Sequence, residues 1–193
     1  MKQLDGCGVA HIAAPLPGLP GTPTLEDVRF RPYGIGDRDR LRRMSAHLSK
    51  ASLYTRFFSG TPRIPEYYLR SMDGLDHWDR EAMVALLDGE AIGIAEYVRD
   101  VRRPSRAEVA VLVADPWKRC GLGGRLMAYL AQLAGRRGVT EFHADVIPDN
   151  HEAVFAIRSG WPAARARTAD GTVRFRLPLP MPGPARTRPR MPA

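Results

Sequence analysis

The chain has 193 residues, 44% hydrophobic and 26% charged, which is enough for one ordinary core and too apolar for a disordered protein. The formal net charge of +8 is scattered along the chain without an aromatic-interleaved basic patch, so we predict no nucleic-acid binding and expect attraction to an anionic ligand or an acidic protein surface. No apolar run approaches the roughly 20 residues that span a bilayer, and the N-terminus shows no secretory signal. The two cysteines, Cys7 and Cys120, provide no disulfide framework or metal quartet. We therefore predict a cytoplasmic protein without a membrane partner.

Proline-rich ends enclose the predicted domain. Residues 1–24 combine several prolines and glycines, and residues 179–193 combine prolines and arginines with no acidic residue. Such compositions favour flexible segments over packed structure. We therefore predict an N-terminal tail at 1–24, a single domain at 25–178 and a disordered basic tail at 179–193.

The first elements of the domain follow from side-chain spacing. Residues 28–31 alternate apolar and basic side chains, as in a half-buried strand. Apolar residues recur at helical spacing over residues 41–48, and two short helical pieces follow through Tyr68. The segment SLYTRFF, residues 52–58, is predicted to be an amphipathic helix that covers the sheet edge with Leu53, Phe57 and Phe58.

A hairpin is predicted next. Residues 83–87 and 91–98 are apolar runs that flank Asp88-Gly89-Glu90. Asp-Gly between two such runs predicts a tight turn, because both central residues of that turn need positive φ.

The most informative segment is EVAVLVADPWKRCGLGG, residues 108–124. Residues 109–113 read as a buried strand, Asp115-Pro116 as a turn, and leucines at helical spacing follow from Leu122. The glycines at 121, 123 and 124 therefore lie at a helix start.

A helix start of this kind is suited to a phosphorylated ligand. The first backbone N–H groups of a helix lack intrahelical partners and the helix dipole is positive there, so phosphate oxygens can be received where no side chain blocks them. Lys118 and Arg119 add two positive charges beside the glycines. The alternative is a glycine-rich helix start that binds nothing.

Two other phosphate-binding motifs are excluded. No Gly-Lys-Ser/Thr follows the glycines, so the segment is not a P-loop. The spacing is G-x-G-G, and no acidic residue ends a strand about twenty positions later, so the Rossmann fingerprint is absent.

The last part of the chain completes a mixed fold. A strand is predicted at 141–146, a helix near 150–159 and a strand at 172–177. Together the elements predict an α/β, or α+β, sheet with helices on its faces.

The glycine segment resembles the acyl-CoA pyrophosphate loop of the GNAT superfamily of N-acetyltransferases, Arg/Gln-x-x-Gly-x-Gly/Ala after a strand. In this chain it reads Lys118-Arg119-Cys120-Gly121-Leu122-Gly123, with Lys118 and Cys120 at positions where Gln or Arg are common. Downstream, Asn150 opens HEAVFAIRSGW, which is similar to the superfamily's second cofactor segment. The resemblance implies the GNAT fold, a mixed and mostly antiparallel sheet with helices on both faces, and acetyl-CoA as co-substrate.

A narrower resemblance covers residues 27–178. HLSKASLYTRFFSG, residues 47–60, and the block at 76–97 look like the catalytic domain of bacterial protein lysine acetyltransferases of the Pat type, which modify acyl-CoA synthetases. The resemblance implies a protein lysine as acceptor. The alternatives are a small amine as acceptor, or a catalytically degenerate acyl-CoA-binding module; the sequence does not fix an oligomeric state.

Acyl transfer to a lysine requires a base, because the ε-amine has an unperturbed pKa near 10.4. Glu108, at the head of the cofactor strand, is the first candidate, and its position resembles the glutamate that many lysine-acetylating GNAT enzymes use. Partial burial of this carboxylate would raise its pKa and improve it as a base; the alternative is a solvated glutamate paired with Arg106. Glu96, on the neighbouring strand, is the second candidate, either as base or to position the acceptor.

The resemblance also implies the cofactor-binding residues. The strand backbone at Val111, Leu112 and Val113 would hold the pantetheine arm, and the residues of the loop would hold the pyrophosphate. Asn150 would bind pantetheine or cap its helix. Many GNAT enzymes place a tyrosine acid seven residues after that Asn, where this chain has Ile157. The loop residues are Lys118, Arg119, Cys120, Gly121, Leu122, Gly123 and Gly124.

A metal site is not predicted. Among His143, Asp145 and His151, the first two share one strand face two residues apart, but no third ligand has a supporting motif and no nucleophile elbow is present.

Overall fold

The computed structural model describes residues 24–169 and 171–182. Most of the predicted tails, residues 1–23 and 183–193, lie outside these ranges. The chain continues to pack beyond the last strand: the Leu179 N–H donates to the Thr140 carbonyl at 2.8 Å, and the Met181 side chain approaches Gly160.

In residues 24–169 and 171–182, seven strands form one sheet in the order β1-β2-β3-β4-β5-β7-β6. Only the β4–β5 pair is parallel, and every other neighbouring pair is antiparallel. The mixed, mostly antiparallel sheet predicted from the sequence is therefore confirmed. The strands are β1 Arg29–Pro32, β2 Arg80–Leu87, β3 Glu90–Asp100, β4 Arg103–Val113, β5 Glu141–Val146, β6 Arg165–Ala169 and β7 Thr172–Pro178.

Five α-helices accompany the sheet in the described part of the chain, together with short 3-10 turns. None of them combines the length and apolar character that crossing a bilayer requires. The helices are α1 Arg38–Met44, α2 Lys50–Phe57, α3 Glu66–Met72, α4 Leu122–Arg136 and α5 His151–Gly160.

The predicted hairpin turn is present between β2 and β3. Asp88 has a φ of 50° and Gly89 a φ of 82°, so both central residues adopt the positive φ that the Asp-Gly pair predicted. The next hairpin turns at Val101 and Arg102, where the sequence carries no comparable signal, and β4 consequently begins five residues before Glu108. Strand β6 was not predicted at all.

Helices pack on both faces of the sheet. An added Cβ at Gly93 of β3 would lie 3.1 Å from Leu126 of α4, so α4 crosses that face closely. Successive strand residues point to opposite faces, and Glu96, on the other face, meets Arg56 of α2. We call these the α4 face and the α2 face. Among large side chains in the core, Trp117, Tyr97, Phe142 and Phe175 are fully buried.

The two central parallel strands separate after a short contact. Residues 106–108 of β4 pair with residues 141–143 of β5, and the register ends there. The rest of β4 therefore has a partner on one side only, and its other edge borders a gap in the sheet.

Candidate active site

The start of α4 exposes unpaired backbone donors. Gly121 is the N-cap residue with a φ of 91°, a conformation that favours glycine, and no side chain caps the helix. The first helical N–H groups, from Leu122 to Gly124, therefore have no intrahelical partner. A Cβ at Gly124 would meet nothing within 4 Å, so the approach is open. This geometry fits the pyrophosphate of a nucleotide-bearing ligand.

The side chains of the preceding loop are mostly committed elsewhere. Lys118 Nζ lies 2.9 Å from an Asp115 carboxylate oxygen and 2.6 Å from the Ser52 hydroxyl. The Cys120 thiol donates to the Trp117 carbonyl at 2.8 Å. Arg119 is largely exposed and lies 3.8 Å from Glu152 at the start of α5. Among the basic side chains predicted to bind phosphate, Arg119 is the one directed to solvent.

The open edge of β4 presents backbone groups to the gap. The Ala114 N–H donates to Ile92 of β3, and the Ser105 carbonyl accepts from Thr140 on the β5 side. Backbone groups alternate along a strand, so those of Val109, Val111 and Val113 point into the gap.

The side chains of this part of β4 lie between the strand and the start of α4. Those of Val111 and Val113 lie 3.8 and 3.7 Å from a Cβ added at Gly123. Leu112 is placed differently: its carbonyl points toward β3 and its side chain is buried on the α2 face.

Asn150 caps α5. Its side-chain oxygen accepts the Ala153 N–H at 3.1 Å, so of the two roles left open by the sequence the capping role is observed. Ile157, at the position of the missing tyrosine, is partly buried against the core.

The two candidate glutamates occupy different environments on the α2 face. Glu96 is 8% exposed and forms an ion pair with Arg56, whose guanidinium also lies 5.0 Å from the centre of the Phe57 ring. Burial raises the pKa of the adjacent Tyr68 hydroxyl far above its usual value, and the Glu96 carboxylate adds to that shift. The Glu96 carboxylate is therefore already engaged by a cationic partner, Arg56.

Glu108 is exposed, so the expectation that this carboxylate is partly buried is wrong. It makes no hydrogen bond or ion pair with any residue in the described ranges, and Arg106 pairs with Glu141 at 3.4 Å instead. Glu108 faces a cleft of about 490 Å³ between the ends of β3, β4, β5 and β7, which we call the polar cleft. Its lining includes Val98, Asp100, Arg103, Arg106, Glu108, His143 and Arg174.

Comparison with known proteins identifies this arrangement. The sequence model of the Acetyltransferase (GNAT) family matches residues 50–161, from α2 to the end of α5. The chain belongs to the GNAT family of acetyltransferases. The predicted family and enzyme class are thus confirmed.

Individual relatives agree with this assignment. Acetyltransferase Pat of Mycolicibacterium smegmatis is 34% identical over 63% of the chain, which spans only 37% of that protein. Acetyltransferase PA5475 of Pseudomonas aeruginosa is 31% identical over 75% of the chain and 81% of its own length. The crystal structure of the GNAT domain of S. lividans PAT superposes with a TM-score of 0.73 and 28% identity, covering 79% of this chain and 90% of that one. The predicted resemblance to Pat is confirmed.

The fold is also shared with a GNAT structure solved with its cofactor acetyl-CoA. This is yncA of Salmonella typhimurium, with a TM-score of 0.62 and 15% identity, covering 79% of this chain and 93% of that one. At this identity the similarity concerns the fold.

The structure gives a role to SLYTRFF in this GNAT domain. Ser52 donates to Asp115, in the turn before the cofactor loop, and Arg56, one helical turn later, pairs with Glu96. Leu53 is buried, whereas Phe58 ends the helix with a φ of 53° and is half exposed, so Phe58 does not cover the sheet as predicted. Helix α2 is therefore joined to β3 and to the turn that follows β4.

Asp115 organises this connection. It accepts from Ser52, from Lys118 and from the Ser49 N–H at 2.7 Å. Burial alone would raise the pKa of Asp115, but the hydrogen bonds outweigh burial and lower it. Sequence reasoning missed Asp115 as an anchor, although the unusual SLYTRFF segment marked one of its partners.

Two of the three residues considered as metal ligands, His143 and Asp145, are engaged in side-chain pairs. His143 lies 2.7 Å from Glu141, and Asp145 pairs with Arg174. Within residues 24–169 and 171–182, no group of three or more potential ligands is positioned to hold a metal ion.

Proposed function

We propose that this GNAT acetyltransferase transfers the acetyl group of acetyl-CoA to a lysine ε-amine of a protein, with Glu108 as general base. The observation that carries the proposal is the position of Glu108: an exposed carboxylate without a partner in the described chain, in a cleft next to the strand edge where the cofactor arm is expected. An acyl-CoA synthetase is the leading acceptor because the sequence resembles Pat-type enzymes, and the relative named Pat is 34% identical over 63% of the chain. A cytoplasmic location is part of the proposal.

Acetyl-CoA would be held mainly by backbone groups. The N–H groups from Leu122 to Gly124 would receive the pyrophosphate, with Arg119 as the additional cation. Backbone groups of Val111 and Val113 would bind the pantetheine arm as a strand partner would. Both sets are open in the structure, and neither requires the side chains of Lys118 or Cys120.

The chemistry requires two proton movements. Glu108 would take a proton from the acceptor ammonium, so that the neutral amine attacks the thioester carbonyl carbon. A carbon–nitrogen bond forms and the carbon–sulfur bond breaks, and the CoA thiolate leaves. Because Ile157 cannot act as an acid, the thiolate would be protonated by water or by the proton released from the product nitrogen. Glu96 is the weaker candidate for the base, because Arg56 already holds its charge.

The test combines cofactor binding with product analysis. Wild-type protein is titrated with acetyl-CoA by calorimetry, then incubated with acetyl-CoA and either lysine peptides, an acyl-CoA synthetase or small amines, and the products are identified by mass spectrometry. The Gly123→Asp variant places a carboxylate beside the expected phosphates and should weaken acetyl-CoA binding by about 10²-fold.

Gly135→Asp is the matched control, because it adds the same charge to the same helix where a Cβ meets nothing within 4 Å. Unchanged acetyl-CoA affinity in Gly123→Asp would remove the loop from the site. Acetylation of small amines alone would establish the small-molecule alternative. Cofactor binding without transfer to any acceptor would indicate the degenerate binding module.

A further inference from the structure

Helices α1 to α3 cover the α2 face over the first strands of the sheet, but the charged side chains of β5, β7 and β6 on the same face are half-buried or exposed. The registers align one residue from each strand in a row across this half-sheet. In the strand register, Glu108 is the partner of His143, His143 of Arg176, and Arg176 of Arg165. The row leads from the proposed base to the edge strand.

A second row lies beside the first. Asp145 is level with Arg174, and Arg174 with Arg167. Within the two rows the inner arginines are neutralised: Arg176 pairs with Glu141 at 2.7 Å and Arg174 with Asp145 at 2.6 Å.

The outer arginines are not neutralised by any residue in the described ranges. Arg165 and Arg167 are exposed on β6 and have no ion pair there. Each stands directly opposite an inner arginine, Arg176 or Arg174, whose charge Glu141 or Asp145 already neutralises, so the outer guanidinium has no counter-charge among the described residues. An anion bound at this edge of the sheet would supply the counter-charge that Arg165 and Arg167 lack.

We propose that Arg165 and Arg167 bind acidic residues of the acceptor protein, a few positions from the lysine that enters the polar cleft. This inference rests on the proposed function and specifies its substrate class as lysines in acidic surroundings. Three strand spacings separate Glu108 from Arg165, about 14 Å, and an extended segment covers that distance in about four residues. The acidic residues should therefore lie three to five positions from the lysine.

The experiment uses isomeric peptides. One carries a central lysine with glutamates three to five positions away on both sides, a second carries the same glutamates adjacent to the lysine, and a third has glutamine in their place. Binding is measured by fluorescence anisotropy and transfer by kcat/KM, for wild-type protein, for Arg165→Gln/Arg167→Gln, and for Arg136→Gln/Arg158→Gln. The last variant is the matched control, because it removes two exposed arginines of α4 and α5 that belong to neither row.

We expect wild-type protein to prefer the peptide with distant glutamates over the neutral peptide by about fivefold in both binding and kcat/KM, as two exposed ion pairs would give. The preference should fall toward one in Arg165→Gln/Arg167→Gln and at high salt, and should persist in the control variant. The isomer with adjacent glutamates should respond less to the loss of these arginines.

Three outcomes would overturn the inference. The first is the absence of a preference for the distant glutamates, or a preference that the Arg165→Gln/Arg167→Gln variant retains. The second is a raised KM for acetyl-CoA in that variant, which would assign these arginines to the cofactor phosphates. The third is tighter binding of a single-stranded RNA of equal charge through the same arginines. If acidic peptides bind through Arg165 and Arg167 but are not acetylated, the peptide-binding inference is supported and the proposed function is rejected. Failure of the inference and failure of the proposed function therefore give different results.

Discussion

The two halves of the α2 face differ in whether their charged side chains have partners of opposite charge. Where helices α1 to α3 cover the sheet, carboxylates are buried and paired, as Glu96 is with Arg56 and Asp37 with Arg31. Where the helices end, Glu108 is exposed without a partner in the described chain, and Arg165 and Arg167 face another arginine. Groups whose charge the fold has already compensated serve stability. Groups left uncompensated are available to substrate, and this difference distinguishes the two glutamates that the sequence offered as a base.

The largest expected effect is a loss of catalytic activity on substitution of Glu108, in the exposed half of the α2 face. Glu108→Gln should lower kcat by the roughly 10²–10⁴-fold typical of a lost general base, with acetyl-CoA affinity nearly unchanged. Steady-state kinetics and calorimetry measure the two quantities. Asp88→Asn, which changes an exposed carboxylate in the turn at the other end of β3 from the polar cleft, is the control and should retain full activity. Equal activity of Glu108→Gln and wild type would remove Glu108 from the role of base.

In the half covered by helices, substitution of a paired carboxylate should lower the stability of the fold. Glu96→Gln leaves the guanidinium of Arg56 partly buried without its counter-charge, and should lower the free energy of unfolding by about 3 kcal/mol in urea denaturation. Glu108→Gln should change this free energy by less than about 0.5 kcal/mol, as an exposed substitution does. If Glu96→Gln were as stable as wild type but inactive, the roles assigned to the two glutamates would have to be exchanged.

A smaller effect is expected where α2 meets the cofactor loop. Asp115→Asn weakens the contacts with Lys118, Ser49 and Ser52 and should lower the free energy of unfolding by about 1–2 kcal/mol at pH 7. The folded protein lowers the pKa of Asp115, so this carboxylate stabilises the fold above the unfolded aspartate pKa of about 3.9 and loses that effect as the pH falls through the folded pKa.

The difference between wild type and Asp115→Asn should therefore narrow below about pH 4. Denaturation curves at several pH values check this, with Asp149→Asn as the control, because Asp149 is exposed and makes no side-chain hydrogen bond or ion pair in the described chain. A difference that stays constant from pH 7 to pH 3 would contradict the assigned pKa direction.

Local sequence signals predicted the elements that carry them. The Asp88-Gly89 turn, the helix that starts after Gly121 and the strand Glu141–Val146 were all readable, because turn chemistry, glycine and apolar periodicity act over a few residues. Strand β6 was missed because its alternating residues in RARTA are arginine and small side chains, without the apolar face that identifies a strand. The early start of β4 was missed because arginine and proline dominate residues 103–106.

The sequence alone determined the fold family, the glycine loop that leaves helix donors unpaired, and both glutamates in the neighbourhood of the site. The tertiary structure decided which glutamate is paired, that Lys118 turns away from the loop to Asp115, and that Glu108 lies in line with Arg165. The contacts of Glu96 with Arg56 and of Lys118 with Ser52 join residues that are 40 and 66 positions apart along the chain. Local spacing carries no information on such partners, since they are fixed only when α2 packs on the sheet and the strands take their register.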